Sequence, residues 1–272
     1  ASDWSSDVCS SDLKFWGFLL VIVLMTSCGE YQSLLKSNDY NLVYKKAIEY
    51  YNKGDYQRAM NLLDGVRSVF VGQAKAQNIA YYRAFCSYNM KDYQIASDLF
   101  KQFIQTYPES SFAEECLYMM GFCDYKASPK PRLDQQVTEK AIREFQLYLS
   151  RYPYSMRKDK VNTYMDEMRD KLSYKAYLSA KNYYLREHYK AAVISLQNCL
   201  KDYPGSKYRE EIMYMLLVSK YQMAVNSVED KKVERYNNAR EEYYYFADEY
   251  PNSRYAADVK KMYEDIEAYL EN

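Results

Sequence analysis

Thirty-four tyrosines stand in this chain of 272 residues, and ten of them form five pairs whose members are seven residues apart. The pairs are Tyr44/Tyr51, Tyr81/Tyr88, Tyr118/Tyr125, Tyr177/Tyr184 and Tyr214/Tyr221. Residues i and i+7 share a helix face, so each pair presents two rings with polar tips on one side of a helix. The chemistry open to such rings is recognition, through stacking on apolar groups and hydrogen bonds from the hydroxyls. Bond-making chemistry has a thinner basis. The sole histidine, His188, falls in an inter-helix turn where other units carry Asp, which predicts a surface role. Cys86, Cys116, Cys123 and Cys199 lie within apolar patterns and are expected as buried thiols, with a Cys86–Cys123 bridge as the alternative in an oxidising compartment. The sequence has no Gly-rich phosphate loop, metal-spaced His/Cys cluster or nucleophile elbow. No catalytic residue, metal site or enzyme is expected.

The elements that position the pairs can be read from their surroundings. The pairs centre on Ala47, Ala84, Gly121, Ala180 and Leu217, small in four of five cases. Four units close on Tyr-Pro-x-Ser, at 107–110, 152–155, 203–206 and 250–253. Counting back from those tyrosines gives the stripes Phe103/Phe100/Ala96/Tyr93, Tyr148/Phe145/Ala141, Cys199/Leu196/Ala192/Tyr189 and Phe246/Tyr243/Ala239/Tyr236. Their spacing marks one face of a helix. Proline stops each helix, and the following serine is expected to cap the next; Ser111 and Glu114 have capping-box spacing. Only seven Gly and six Pro, with 48% apolar residues, also favour helix over a β-sandwich. Longer connections are expected at 128–135 and 226–232, and one long helix from Tyr154 to about Glu187, read as a rod joining repeats 1–3 to repeats 4 and 5. Residues 254–271 read as a capping helix, as a solenoid end requires.

At the N-terminus, Phe15 to Met25 form an apolar run of eleven residues. As a helix it would extend about 16 Å, too short for a bilayer core of roughly 30 Å, so it reads as the apolar region of an export signal. It ends in Met25-Thr26-Ser27-Cys28, which resembles a bacterial lipobox and implies a lipid on Cys28. The acidic, base-free stretch before Lys14 does not suit a signal, and Ala1 to Asp12 is expected to be foreign sequence. Without residues 1–27 the chain loses one base and three acids from 37 of each, leaving 36 bases, 34 acids and a net charge of +2. Such a balance offers nucleic acid no binding field. Gly29, Glu30 and Tyr31 supply no acidic run after the cysteine, which favours an inward-facing, periplasmic location.

A small residue, a turn, Tyr, Ala three later, a large apolar residue four later and then Pro resembles the tetratricopeptide repeat. Ala84/Tyr93/Ala96/Phe100/Pro108 and Ala180/Tyr189/Ala192/Leu196/Pro204 match it well. The resemblance implies an all-α, right-handed superhelix of five helix-turn-helix repeats with a C-terminal capping helix. The division expected is 1–27 foreign prefix and signal, 28–40 lipidated tether, 41–153 repeats 1–3, and 154–272 the long helix, repeats 4–5 and cap. First helices line the groove in such proteins, which places Tyr44, Tyr51, Asn78, Tyr81, Phe85, Tyr88, Tyr118 and Tyr125 in a peptide groove; packing between repeats is the other reading of these rings. Lipobox, repeat number and Tyr-Pro-x-Ser ends together resemble the BamD family of outer-membrane assembly lipoproteins, from Cys28 to the C-terminus. That implies a periplasmic-side scaffold binding BamA-like domains and unfolded outer-membrane β-barrel proteins, with the lipid on Cys28 as its only added group and no small-molecule substrate. A cell-wall or envelope scaffold and a glycan-binding nutrient-uptake lipoprotein are the alternatives.

Overall fold

A residue that precedes proline is pushed out of the α region, and the four Tyr-Pro steps end helices for that reason. In the computed structural model, which describes residues 29–271, Tyr107, Tyr203 and Tyr250 all sit near φ −130° and ψ 60°, each closing its helix. Every regular element among the described residues is helical. A short α1 covers 29–35. It is followed by α2 (Tyr40–Asn52), α3 (Tyr56–Val66), α4 (Ala74–Asn89), α5 (Tyr93–Thr106), α6 (Ala113–Ala127) and α7 (Gln136–Arg151). The remainder are α8 (Lys158–Leu185), α9 (Tyr189–Asp202), α10 (Arg209–Val225), α11 (Glu229–Glu249) and α12 (Ala256–Leu270). The five predicted repeats are the pairs α2/α3, α4/α5, α6/α7, α8/α9 and α10/α11, and α12 packs on α11 as the cap.

The chain packs as two units. Of the described residues, the first holds 29–127 together with 143–155, the second 128–142 together with 156–271. In the first, Val43, Ala47, Leu62, Leu63 and Ile79 form a core that also takes Tyr31 and Leu34 from α1. Residues 29–35, within the segment expected as a tether, are thus helical and docked, and Asn61 Nδ2 donates to Tyr31 Oη at 3.0 Å. In the second, Tyr177, Ala180, Leu196, Ile212 and Leu216 make one core, and Leu217, Phe246 and Val259 another. The predicted stripes are buried: Ala96, Phe100 and Phe103; Ala141, Phe145 and Tyr148; Ala192, Leu196 and Cys199. All five pair centres are buried as well.

Gly121 shows why small residues stand at those centres. A Cβ there would lie 2.9 Å from Phe145 Cδ1, so helix α6 reaches α7 only without a side chain. The tight turns repeat another device. Gly54, Lys91 and Glu187 occupy equivalent places between the helices of their repeats, and all have positive φ (82°, 67° and 60°). Glycine meets that demand without strain, whereas the other two residues hold the conformation because the turn hydrogen bonds to Tyr88 and Tyr184 enforce it.

Four local expectations are corrected. The serines of Tyr-Pro-x-Ser do not cap the helices: Ser110, Ser206 and Ser253 accept from the amides of Phe112, Tyr208 and Tyr255, two residues on, forming a turn before each helix begins. The spacing of Ser111 and Glu114 makes no capping box; Glu114 instead accepts from Ser155 and Tyr148. The long helix starts at Lys158 rather than Tyr154, because the serine turn uses residues 152–157, and its 28 residues rise about 42 Å. Finally, the second long connection shrinks to 226–228. Residues 229–232 wind into α11, whose first turn carries Glu229 and Asp230 at the positive helix end. The first connection, 128–135, is present, held in the second unit by Lys171 donating to Ser128 Oγ at 2.6 Å and Lys175 donating to the Leu133 carbonyl at 2.8 Å.

Candidate functional site

The predicted groove residues of the first unit lie on α2, α4 and α6, the first helices of repeats 1–3. All except Tyr118 are half-buried; Tyr118 is buried. Six of them join with Tyr82 and Phe122 into one aromatic run. Tyr51 meets Tyr82 edge-on at 4.9 Å, Tyr82 meets Tyr81 at 5.5 Å, and Tyr81 meets Phe85 at 4.5 Å. Phe85 reaches Tyr88 at 6.3 Å and Tyr88 reaches Phe122 at 6.2 Å, where Tyr118 and Tyr125 stack on either side. Tyr44 is outside this chain of ring contacts, beside Phe70 and under Lys75. Lys126 covers Phe122 and Tyr125 in the same manner. Lys126 thus lies in cation–π range at one end of the run.

The hydroxyls are tuned by the same burial. Desolvation raises Tyr44, partly offset by its hydrogen bond with Asn78. Burial pushes Tyr51 up to about 12, even though Asn89 hydrogen-bonds it. Tyr81 is raised by burial and then by donating to Glu115 Oε2 at 2.9 Å. These phenols stay protonated at neutral pH and act as hydrogen-bond donors. Half-buried rings with protonated tips can hold an extended apolar segment and bond its backbone carbonyls.

Some of the pairing is structural. The first tyrosine of a pair repeatedly stacks on the aromatic residue two positions after the Tyr-Pro-x-Ser serine of its own repeat. Tyr81 meets Phe112 at 4.6 Å, Tyr177 meets Tyr208 at 4.4 Å, and Tyr214 meets Tyr255 at 3.9 Å. These rings pack between one repeat and the start of the next. The residues that sequence reasoning missed, Tyr82, Phe112 and Phe122, fall outside the seven-residue rhythm. The signal for Phe112 was present as an aromatic two beyond each serine in three of the four motifs.

Other predicted positions are simply placed. His188 is the residue before α9, in an inter-helix turn, as expected. Cys86, Cys116, Cys123 and Cys199 are buried and in no disulfide, so the Cys86–Cys123 bridge is not formed. Cys28 and everything before it, including the expected signal and foreign prefix, lie outside the described residues. Among the described residues no group of His, Cys, Asp and Glu could hold a metal ion, and no helix is long and apolar enough to cross a membrane.

The family YfiO, described as outer membrane lipoprotein, matches residues 36–211 and 177–271. No curated protein matches. Among solved structures, the TPR2AB-domain:pHSP90 complex of yeast Sti1 is 14% identical with a TM-score of 0.38, covering 84% of this chain and 98% of that one. A TPR repeats protein from Bacteroides fragilis is 12% identical with a TM-score of 0.41, covering 86% of this chain and 100% of the other. The human IFIT1 dimer with PPP-AAAA is 18% identical with a TM-score of 0.30, covering 90% of this chain and 62% of that one. The family match spans nearly all of the described residues. The chain is a member of the YfiO, or BamD-type, family of outer membrane lipoproteins.

Proposed function

We propose that this protein is a lipid-anchored scaffold of the β-barrel assembly machine on the periplasmic side of the outer membrane. In this reading Cys28 carries the lipid, its only added group. The aromatic run of repeats 1–3 recognises unfolded outer-membrane β-barrel proteins, and repeats 4 and 5 dock on BamA-like periplasmic domains. The observation that carries the reading is the largely half-buried aromatic run from Tyr51 to Tyr125, in which burial raises the hydroxyls of Tyr51 and Tyr81. Such rings offer area and a polar tip without demanding one side-chain sequence, which suits partners that share only an extended, apolar-rich segment. The family match supports the location and the machine.

A photo-crosslinking residue at position 125, at the far end of the run from Tyr51, tests the groove. Capture of unfolded barrel segments is the expected result, lost when Tyr44 and Tyr88 are both alanine while the helical signal is kept. Crosslinks unaffected by those substitutions sink the groove. Affinity purification from membranes tests the machine: a BamA-like protein should co-purify, whereas a cell-wall enzyme or a TonB-dependent transporter in its place would overturn the assignment.

A further inference from the structure

A cavity of about 450 Å³ lies between α3, α4 and α5 of the first unit, and none of the paired tyrosines lines it. Its volume falls in the range of small-ligand sites. Its apolar wall is made by Val71, Ala80, Leu99 and Phe103, and its polar wall by Arg67, Arg83, Gln102 and Thr106. No acidic side chain lines it.

Arg83 is the unusual member. It is only 8% exposed, on a helix face otherwise given to packing. Its Nε donates to Asp64 Oδ1 at 2.6 Å, which fixes one edge of the guanidinium. The two Nη groups form no hydrogen bond among the described residues, and neither is sealed from solvent. Held on one edge by Asp64 and open on the other, the guanidinium can take a planar acceptor on its two Nη groups. Arg67 adds an exposed positive charge at the same cavity. Two arginines less Asp64 leave one net positive charge, which a single carboxylate balances and a dianionic phosphate exceeds.

We infer that this cavity is a second binding site, taking a monocarboxylate with an apolar body. The carboxylate lies on the Nη groups of Arg83 with Arg67 at the rim, and the aliphatic or aromatic body lies against Leu99 and Phe103. A free apolar acid and the last residue of a polypeptide share this chemistry. The site is independent of the tyrosine run.

Titration of the protein with 4-phenylbutyrate and with N-acetyl-leucine, each beside its neutral amide, followed by amide chemical shifts in NMR, tests the inference. Both acids should shift residues of α4 and α5, with the amides bound roughly ten-fold more weakly, the loss of one charge-assisted pair. Tighter binding of N-acetyl-leucine identifies a chain terminus as the source, tighter binding of phenylbutyrate a free acid. Arg67→Glu, an exposed position, should weaken the acids about ten-fold or more with the thermal midpoint unchanged. Arg83→Leu should abolish binding; if it does not fold, Arg67→Glu decides alone. Equal binding of acid and amide, no effect of Arg67→Glu, or shifts confined to other helices would overturn the site.

Discussion

The Ser155 hydroxyl donates to Glu114 Oε1 at 2.7 Å across 41 residues of chain, tying the end of a repeat to the start of its own first helix. Ser253 does the same to Glu210 at 2.7 Å, and Ser206 pairs with Ser173 at 2.8 Å. Glu114, Ser173 and Glu210 each stand seven residues before a pair centre, so one latch recurs in repeats 3, 4 and 5. Bonds to a charged acceptor contribute about 1.5–3 kcal/mol. Ser253→Ala should therefore lower stability by about 2 kcal/mol in urea unfolding. Ser110→Ala, where the serine's side-chain bond is to a nearby amide, should cost clearly less. Equal losses would show that the latch to the acid contributes nothing.

Gly121→Ala places a methyl group against the buried ring of Phe145, 2.9 Å from Cδ1. Overpacking of this kind costs about 1–3 kcal/mol. The measurement is the shift in thermal midpoint, together with the double variant Gly121→Ala/Phe145→Leu. The smaller side chain should recover part of the loss, a coupling that two independent sites would not show.

Gly54 has φ 82° with open space around its missing Cβ, so only conformation opposes a side chain there. Gly54→Ala should cost about 1–2 kcal/mol, and Gly54→Asn less, because asparagine tolerates the left-handed region. A neutral Gly54→Ala would mean that the turn relaxes to another geometry.

The Lys181–Glu211 pair gives a pH dependence. Burial alone would raise Glu211, but hydrogen bonds from Lys181 and Tyr177 outweigh it and hold the carboxyl below its ordinary value. Lys181 is raised, chiefly by its 2.7 Å bond to Glu211. A depressed acid contributes stability that is whole above the unfolded carboxylate pKa of about 4.3 and is lost as pH falls through the folded value. The raised lysine contributes fully below about 10.4, losing its share only as pH climbs through its folded pKa. Glu211→Gln should thus cost about 1 kcal/mol between pH 6 and 8, the scale of a partly exposed pair. The gap to the parent should close progressively below pH 4. A gap that persists unchanged at pH 3 would contradict the pairing.

Burial pushes the thiols of Cys86 and Cys116 up to about 12 and that of Cys199 to about 11. The thiolate is the reactive form, so these cysteines should resist iodoacetamide at pH 8 in the native protein. Peptide mass spectrometry should find them modified only after denaturation. Rapid labelling of Cys86 in the native state would show that α4 opens locally.

Much of the helix plan is legible in the residues because it is set by local physics. Proline after Tyr107, Tyr152, Tyr203 and Tyr250 stops a helix whatever surrounds it, and alanine at 96, 141, 192 and 239 marks close approach. What failed was local in appearance but tertiary in cause. Ser111 and Glu114 have the spacing of a cap, yet Glu114 is taken by Ser155 and Tyr148 from the far end of the repeat. Residues 226–232 look like a loop, yet Glu229 is drawn into a helix whose first turn meets Tyr269 Oη at 3.0 Å.

By itself the sequence determined the repeats, their helix ends and the aromatic face of each first helix, since periodicity and backbone sterics act within a few residues. Only the tertiary structure decided which tyrosines are committed to packing. Tyr81, Tyr177 and Tyr214 are held by Phe112, Tyr208 and Tyr255, 31 or 41 positions along the chain. It also decided that a buried Arg83 faces a cavity. Contacts at such separations depend on how whole helices pack, which no local pattern encodes.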